Sequence, residues 1–333
     1  MRRTRFLAGR LVSMLAVLVV ISLLTYAVFF LLPSDPAQMS CGKPCTPDGL
    51  AQASAFMGFD KPWWQQYLDF VAGIFRGRSF GRGPAAVHCS APCFGYSFQL
   101  NQPVTQLIWA RIPVTFSIAI GAAALWLVLG VSLGVLAAVR KGTAIDRSAM
   151  AFAVAGVSAP VYLLGLLGIL LFGFTLDLVP VSGYVPLTES PVDWAWHLVL
   201  PWCVLALFTS AVYARLTRGQ MLEVLEEDYI RTARAKGLTE RKVVGWHALR
   251  NVLIPVVTVF GSDLGQLLGG AIITERVFSM QGLGSLLLQA VGTGDLPLVL
   301  GTVLFSAFLV VLANFAVDVV YGALDPRVSE TSG

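Results

Sequence analysis

The sequence predicts an all-α membrane protein with six transmembrane helices and a large external loop after the first. Three observations predict it. Of the 333 residues, 56% are hydrophobic and only 13% charged, with a mean hydropathy of +0.75. A soluble domain carries roughly 25% charged residues, so this chain cannot present enough polar surface to water. Six apolar stretches recur along it, of a length suited to a hydrocarbon core of ~30 Å. The Lys and Arg residues then cluster in alternate connecting segments, as the positive-inside rule requires. The net charge of +4 is therefore read as topology and not as affinity for nucleic acid. No internal repeat or low-complexity tract is visible.

The first unit is 1–32. Arg2, Arg3, Arg5 and Arg10 precede an apolar run over 11–32. A signal peptide is the competing reading, and the Arg2-Arg3 pair invites a twin-arginine export signal. The run is longer than an h-region of roughly 7–15 residues, and no small-x-small cleavage site follows it. It is predicted to be an uncleaved helix entering from the cytoplasm.

The external loop is 33–106, opened by Pro33 and Pro36, which stop the helix. Within it Trp63, Trp64, Tyr67, Phe70, Val71, Ile74 and Phe75 form an aromatic-rich stripe at helical spacing. Such a helix lies along the membrane interface or packs on the chain's own helices. Cys41, Cys45, Cys89 and Cys93 form two Cys-x3-Cys pairs. An external location favours disulfides over a thiolate zinc site, and four cysteines leave three pairings open. Cys203, alone in an apolar span, is expected to be a small buried hydrophobe.

The transmembrane core is 107–333. Spans are predicted at 112–139, 148–174, 197–214, 252–273 and 298–321, with the basic segment 215–251 between the fourth and fifth. The external connection at 274–297 contains ERVFSMQGLGSLLLQAV, whose middle suggests a short re-entrant or interfacial helix. Sixteen of the 23 Lys and Arg residues fall in segments placed inside and seven outside. That bias places both termini in the cytoplasm of a multi-pass cell-membrane protein.

Chemistry-bearing motifs are few. Gly42-Lys43 is followed by Pro44 and lacks the upstream glycine of a phosphate-binding loop. His88, His197 and His247 have no metalloenzyme spacing, and no Gly-x-Ser-x-Gly elbow occurs. The expectation is a non-enzyme with no metal and no cofactor of its own. Polar residues inside spans carry more weight, because burying them in lipid is costly. Asp263 and Gln266 share a face of the fifth span and are candidates for a polar translocation path or for an interhelical clamp. Gly261, Gly265, Gly269 and Gly270 beside them suit close helix packing. Asn314 and Asp318 admit the same two readings, with the clamp favoured.

The strongest signal is 228–258, DYIRTARAKGLTERKVVGWHALRNVLIPVVT. Arg231, Arg234, Lys236, Arg241, Lys242 and Arg250 crowd it. Tyr229 to Lys236 has helix-forming composition, Gly237 can turn sharply through φ > 0, and Thr239 is placed to cap a second helix beginning at Glu240. Two short helices meeting at a glycine predict a docking knob. A generic basic loop would explain the charge but not Gly237 between two helices.

These residues resemble the cytoplasmic coupling loop of permease subunits of ABC importers, in the peptide/nickel-importer form. The general family pattern is Glu-Ala-Ala, three residues, Gly, nine residues, Ile-x-Leu-Pro. Ala233 and Gly237 stand in their places. The Glu-Ala position reads Arg231-Thr232, and the Ile-x-Leu-Pro position reads His247-Ala248-Leu249-Arg250; both departures match the peptide-importer branch. The resemblance implies a type I importer permease whose ATPase-coupling residues are Ala233, Arg234, Ala235, Lys236, Gly237, Leu238, Thr239, His247 and Arg250. It implies as partners a second similar permease, two cytoplasmic ATPases that would bind ATP and Mg, an external solute-binding protein and membrane lipid. Peptides, nickel complexes or haem remain open as cargo. The branch does not require the four loop cysteines. A secondary transporter driven by an ion gradient is the alternative class, but it would need internal repeats.

Overall fold

The computed structural model describes residues 2–31, 45–57, 61–81, 86–97 and 99–324. Cys41, Pro33, Pro36 and the tail Asp325-Pro326-Arg327 lie outside them, as does the side chain of Asp318. Twelve helices are described: α1 Arg2–Leu31, α2 Pro47–Met57, α3 Trp63–Arg76, α4 Val104–Val139, α5 Ala144–Ser158, α6 Val161–Thr175, α7 Pro191–Glu226, α8 Asp228–Ala235, α9 Glu240–Leu268, α10 Ile272–Val277, α11 Leu283–Thr293 and α12 Leu296–Leu324. α1, α4, α7, α9 and α12 each carry a stretch long and apolar enough to cross a membrane, and α5 with α6 supply a sixth if the bent pair counts as one span. Large apolar side chains such as Leu15, Val128 and Leu170 point outward, as expected where the surrounding solvent is lipid.

The span predicted at 148–174 is bent rather than straight. α5 and α6 meet at 97°. Pro160 cannot donate a helical N–H, and it pushes the residue before it out of the helical region. Ala159 is accordingly extended, at φ −89° and ψ 126°. The predicted fifth span also ends early: α9 stops at Leu268, and Gly270 takes φ 131°. The connection 274–297 folds as two helices, α10 and α11.

α4 and α7, each 36 residues and so about 54 Å long at 1.5 Å per residue, form the central pair. In lipid the hydrophobic effect does not drive helices together, so close backbone approach must. Gly130 and Gly134 provide it. A Cβ on Gly130 would sit 2.5 Å from Tyr213 Cβ, and one on Gly134 would sit 2.6 Å from the Ala214 carbonyl. The sequence reading missed this Gly-x3-Gly pair. On α9, Gly261 and Gly265 pack against Val317 and Val310 of α12, the close contact the sequence predicted for that stripe.

The loop end of the bundle is tied down by polar contacts. Tyr67 of α3 shares a 2.8 Å hydrogen bond with Ser22 of α1, while Trp63, Trp64, Leu68 and Phe75 stay exposed. α3 thus packs on its own chain with one face and offers the other outward. Two short hairpins follow, Arg78–Phe80 with Val87–Cys89 and Tyr96–Ser97 with Gln102–Pro103. Ser97 donates to Asp295 at the start of α12, and Gln99 Nε2 donates to the Thr293 carbonyl at 2.8 Å.

Candidate functional site

The basic segment forms at the opposite end of α4 and α7. α7 runs on to Glu226, and Glu227 breaks it at ψ 146° before α8 begins. α8 then ends in a Schellman motif. The Gly237 N–H donates to the Arg234 carbonyl at 2.9 Å and the Leu238 N–H to the Ala233 carbonyl at 3.4 Å. This pattern puts the residue after the cap in the left-handed region, and Gly237 has φ 77°. Arg234 grips Glu240 across the turn through Nε–Oε1, 2.8 Å.

Two expectations for this segment are corrected. The second helix is not short: α9 runs from Glu240 straight through Pro255 to Leu268, with π-helical winding over Val243–Ala248. Thr239 occupies the cap position, but its side chain makes no capping bond. The Thr239 carbonyl instead accepts from the Lys242 and Val243 N–H groups at 2.9 and 3.0 Å.

Ile230 and Ala233 bury against Ala138, Met221, Val243, Ala248 and Val252, with Leu238 packed alongside. Asn251 donates to Tyr229 Oη at 2.6 Å. The knob is therefore anchored on α4, α7 and α9 by a small apolar core. Outward it presents Arg231, Arg234, Ala235, Lys236, Arg241, Lys242 and Arg250; His247 is half-buried. Trp246 is 72% exposed. The sequence reading passed over this tryptophan, although an aromatic in a basic segment is a readable sign of a contact surface. Behind the knob, Arg218 of α7 clamps Asp146 of α5 through Nε–Oδ1 at 2.6 Å and Nη2–Oδ2 at 2.8 Å.

Asp263 lies five residues before the end of α9 and is half-buried. Its Oδ2 accepts from Tyr213 Oη of α7 at 2.8 Å. Tyr213 is fully buried and was not identified from the sequence. Gln266 is exposed on the same helix, and Asn314 of α12 is exposed as well. The structure thus joins Asp263 to a neighbouring helix and leaves Gln266 facing outward.

At the loop end, Cys89 and Cys93 form a disulfide with a Cα–Cα distance of 5.7 Å, and Cys45 is disulfide-bonded too. Cys203 is exposed on α7 rather than buried as expected. Among the described residues, no group of three or more His, Cys, Asp or Glu side chains could hold a metal ion.

Glu275 of α10 is fully buried. Its Oε1 accepts from Thr115 Oγ1 of α4 at 2.8 Å and its Oε2 from the Ser285 N–H at 2.7 Å. The Thr115 oxygen in turn accepts from the Leu283 N–H at 2.8 Å. The carboxylate thus closes the N-terminus of α11, where anions are favoured. Burial pushes the carboxyl above its ordinary range, and the bonds from Ser285 and Thr115 pull it part of the way back.

A helical core with five or six candidate spans and a glycine-hinged basic knob define the class as a multi-pass membrane protein. Comparison with known proteins places it more closely. The family model described as "binding-protein-dependent transport system inner membrane component" matches residues 130–330, and its N-terminal counterpart matches residues 3–119. The chain belongs to that family. A dipeptide transport system permease protein of Escherichia coli (strain K12) is 38% identical over 348 residues, covering 97% of this chain and 98% of the relative. A di/tripeptide transport system permease protein of Pseudomonas aeruginosa (strain UCBPP-PA14) is 38% identical over 344 residues, covering 97% and 98%. Among solved structures, a chain from inward-facing conformations of the MetNI methionine ABC transporter superposes with a TM-score of 0.52 at 21% identity. The match covers 66% of this chain and 97% of that one, and it shows a shared fold.

Proposed function

We propose that this transport permease carries peptides inward as half of a membrane channel, driven by ATP that other subunits hydrolyse. The chain's contribution is mechanical. In this reading both termini and the knob face the cytoplasm, and the loop 33–106 faces outward to receive a solute-binding protein. A second permease completes the channel, and two ATPases holding ATP and Mg sit under the knobs. Relatives carrying dipeptides and di/tripeptides favour peptide over nickel complexes or haem.

The observation that carries the reading is the construction of the knob. α8 is packed against the inner ends of α7 and α9, both of which continue unbroken into the membrane. A displacement applied at Gly237 therefore moves two long rods, and rigid-body movement of that kind can switch a cavity between two openings. α9 carries Asp263 and Gln266, which in this reading border the channel near the second permease.

The test is a cysteine at Trp246 in the assembled complex, with a thiol-reactive photocross-linker attached. The expected product is a covalent adduct to the ATPase whose yield changes between the nucleotide-free and ATP-bound states. An adduct confined to other parts of the permease would sink the docking role.

A further inference from the structure

A cavity of about 470 Å³ opens between α4, α10 and α11 at the loop end of the bundle. Its size falls within the range of roughly 300–1,000 Å³ typical of small-molecule sites. Two guanidinium groups line it, Arg111 and Arg276, together with Ser279, Gln281, Ser285 and Gln289. Arg276 is exposed; its carbonyl accepts from the Ser279 N–H at 3.2 Å, while its guanidinium has no hydrogen-bond or ion-pair partner among the described residues. Arg111 is half-buried, and its Nη1 donates both to Gln281 Oε1 and to the Gln281 carbonyl, the latter at 3.3 Å. That fixes the side chain while leaving Nε and Nη2 to donate elsewhere.

Glu275 is the one acid in the lining, and it is already committed. Its two oxygens are taken by Thr115 and by the start of α11. It holds the α10–α11 corner in place, and with it the neighbouring Arg276. What the cavity offers a ligand is a pair of forked, positively charged donors. A guanidinium fork matches a carboxylate in two parallel hydrogen bonds, and a cation would be repelled.

We propose that this cavity is a carboxylate subsite that engages the C-terminal carboxylate of a peptide passing through the outer mouth of the channel, with Arg276 as the principal ligand and Arg111 as the second. The assignment rests on the peptide reading above. A ligand here meets Arg111 already held in position by Gln281, so the ordering cost falls mainly on the Arg276 side chain.

The probe is arginine labelling of the full-length chain in its complex with phenylglyoxal, mapped residue by residue by mass spectrometry. Dialanine, alanylalaninamide and acetate serve as protectants, and dialanine uptake is measured in parallel. Dialanine is expected to slow labelling of Arg276 and Arg111, and the amide is not. Arg276→Gln should raise the dialanine concentration that half-protects Arg111 by about tenfold, the scale of one charge-assisted pair. Arg276→Lys, which keeps the charge but not the fork, should fall between. Equal protection by dialanine and its amide overturns the proposal, as does an Arg276→Gln variant with unchanged protection of Arg111. Normal dialanine uptake without any protection removes the subsite but leaves the peptide reading intact. Protection by acetate alone, with no uptake of dialanine, removes the peptide reading and the cargo assignment together.

Discussion

Replacing Gly237 tests whether the knob depends on one backbone torsion. The residue has φ 77°, and a Cβ built on it would meet nothing within 4 Å. Side-chain volume therefore costs nothing here, and only conformation is at stake. An L-residue in the left-handed region costs roughly 1–2 kcal/mol, asparagine less and β-branched residues more. A loss of 1–2 kcal/mol changes a two-state ratio by a factor of about 5–30. The state lost is the one in which Leu238 packs beside Ala233 and Arg234 reaches Glu240. The assay is ATP hydrolysed per dipeptide imported by the reconstituted complex, with membrane insertion measured alongside. Coupling should fall in the order Gly237→Asn, Gly237→Ala, Gly237→Val, with insertion unchanged. If Gly237→Asn is as damaging as Gly237→Val, or if all three behave like the parent, the torsional argument is wrong.

Three other outcomes follow from the packing. Gly134→Ala puts a methyl 2.6 Å from both the Ala214 carbonyl and Thr217 Cβ. It should cost about 1–3 kcal/mol by overpacking, read as a lower melting temperature in detergent, whereas Gly219→Ala, with nothing within 4 Å, should not destabilise. Asp263→Asn keeps an acceptor for Tyr213, so it should preserve assembly and alter only the uptake rate. Asp263→Leu strands the buried Tyr213 hydroxyl at about 1–3 kcal/mol; lost assembly in that variant alone identifies a clamp, and reduced uptake per assembled complex identifies a path. Cys89 and Cys93 should resist thiol labelling on intact cells until a membrane-impermeant reductant is added, and free reactivity of both beforehand would contradict the disulfide.

Apolar length and basic bias made five of the spans legible, because a bilayer demands both whatever the packing. The break at Ala159 was written in Pro160, but the apolar run on either side of it concealed the bend. The Gly237 turn was readable because few residues other than glycine adopt that torsion cheaply. The continuity of α9 was not, because nothing local says that a helix starting at Glu240 runs through Pro255. Asp263 was visible as a polar residue out of place, but its partner Tyr213 comes from another helix and was not. The same holds for Glu275 and Thr115, 160 residues apart, where only the fold brings donor and acceptor together. Gly130 and Gly134 did carry a signal, their four-residue spacing.

The most direct test of the account is dialanine uptake into proteoliposomes holding this chain with the second permease, the ATPases and the binding protein proposed above. Uptake should require ATP and Mg on the side where the knob is exposed, and it should persist when proton and sodium gradients are collapsed. Uptake that follows an imposed ion gradient and ignores ATP would contradict the account.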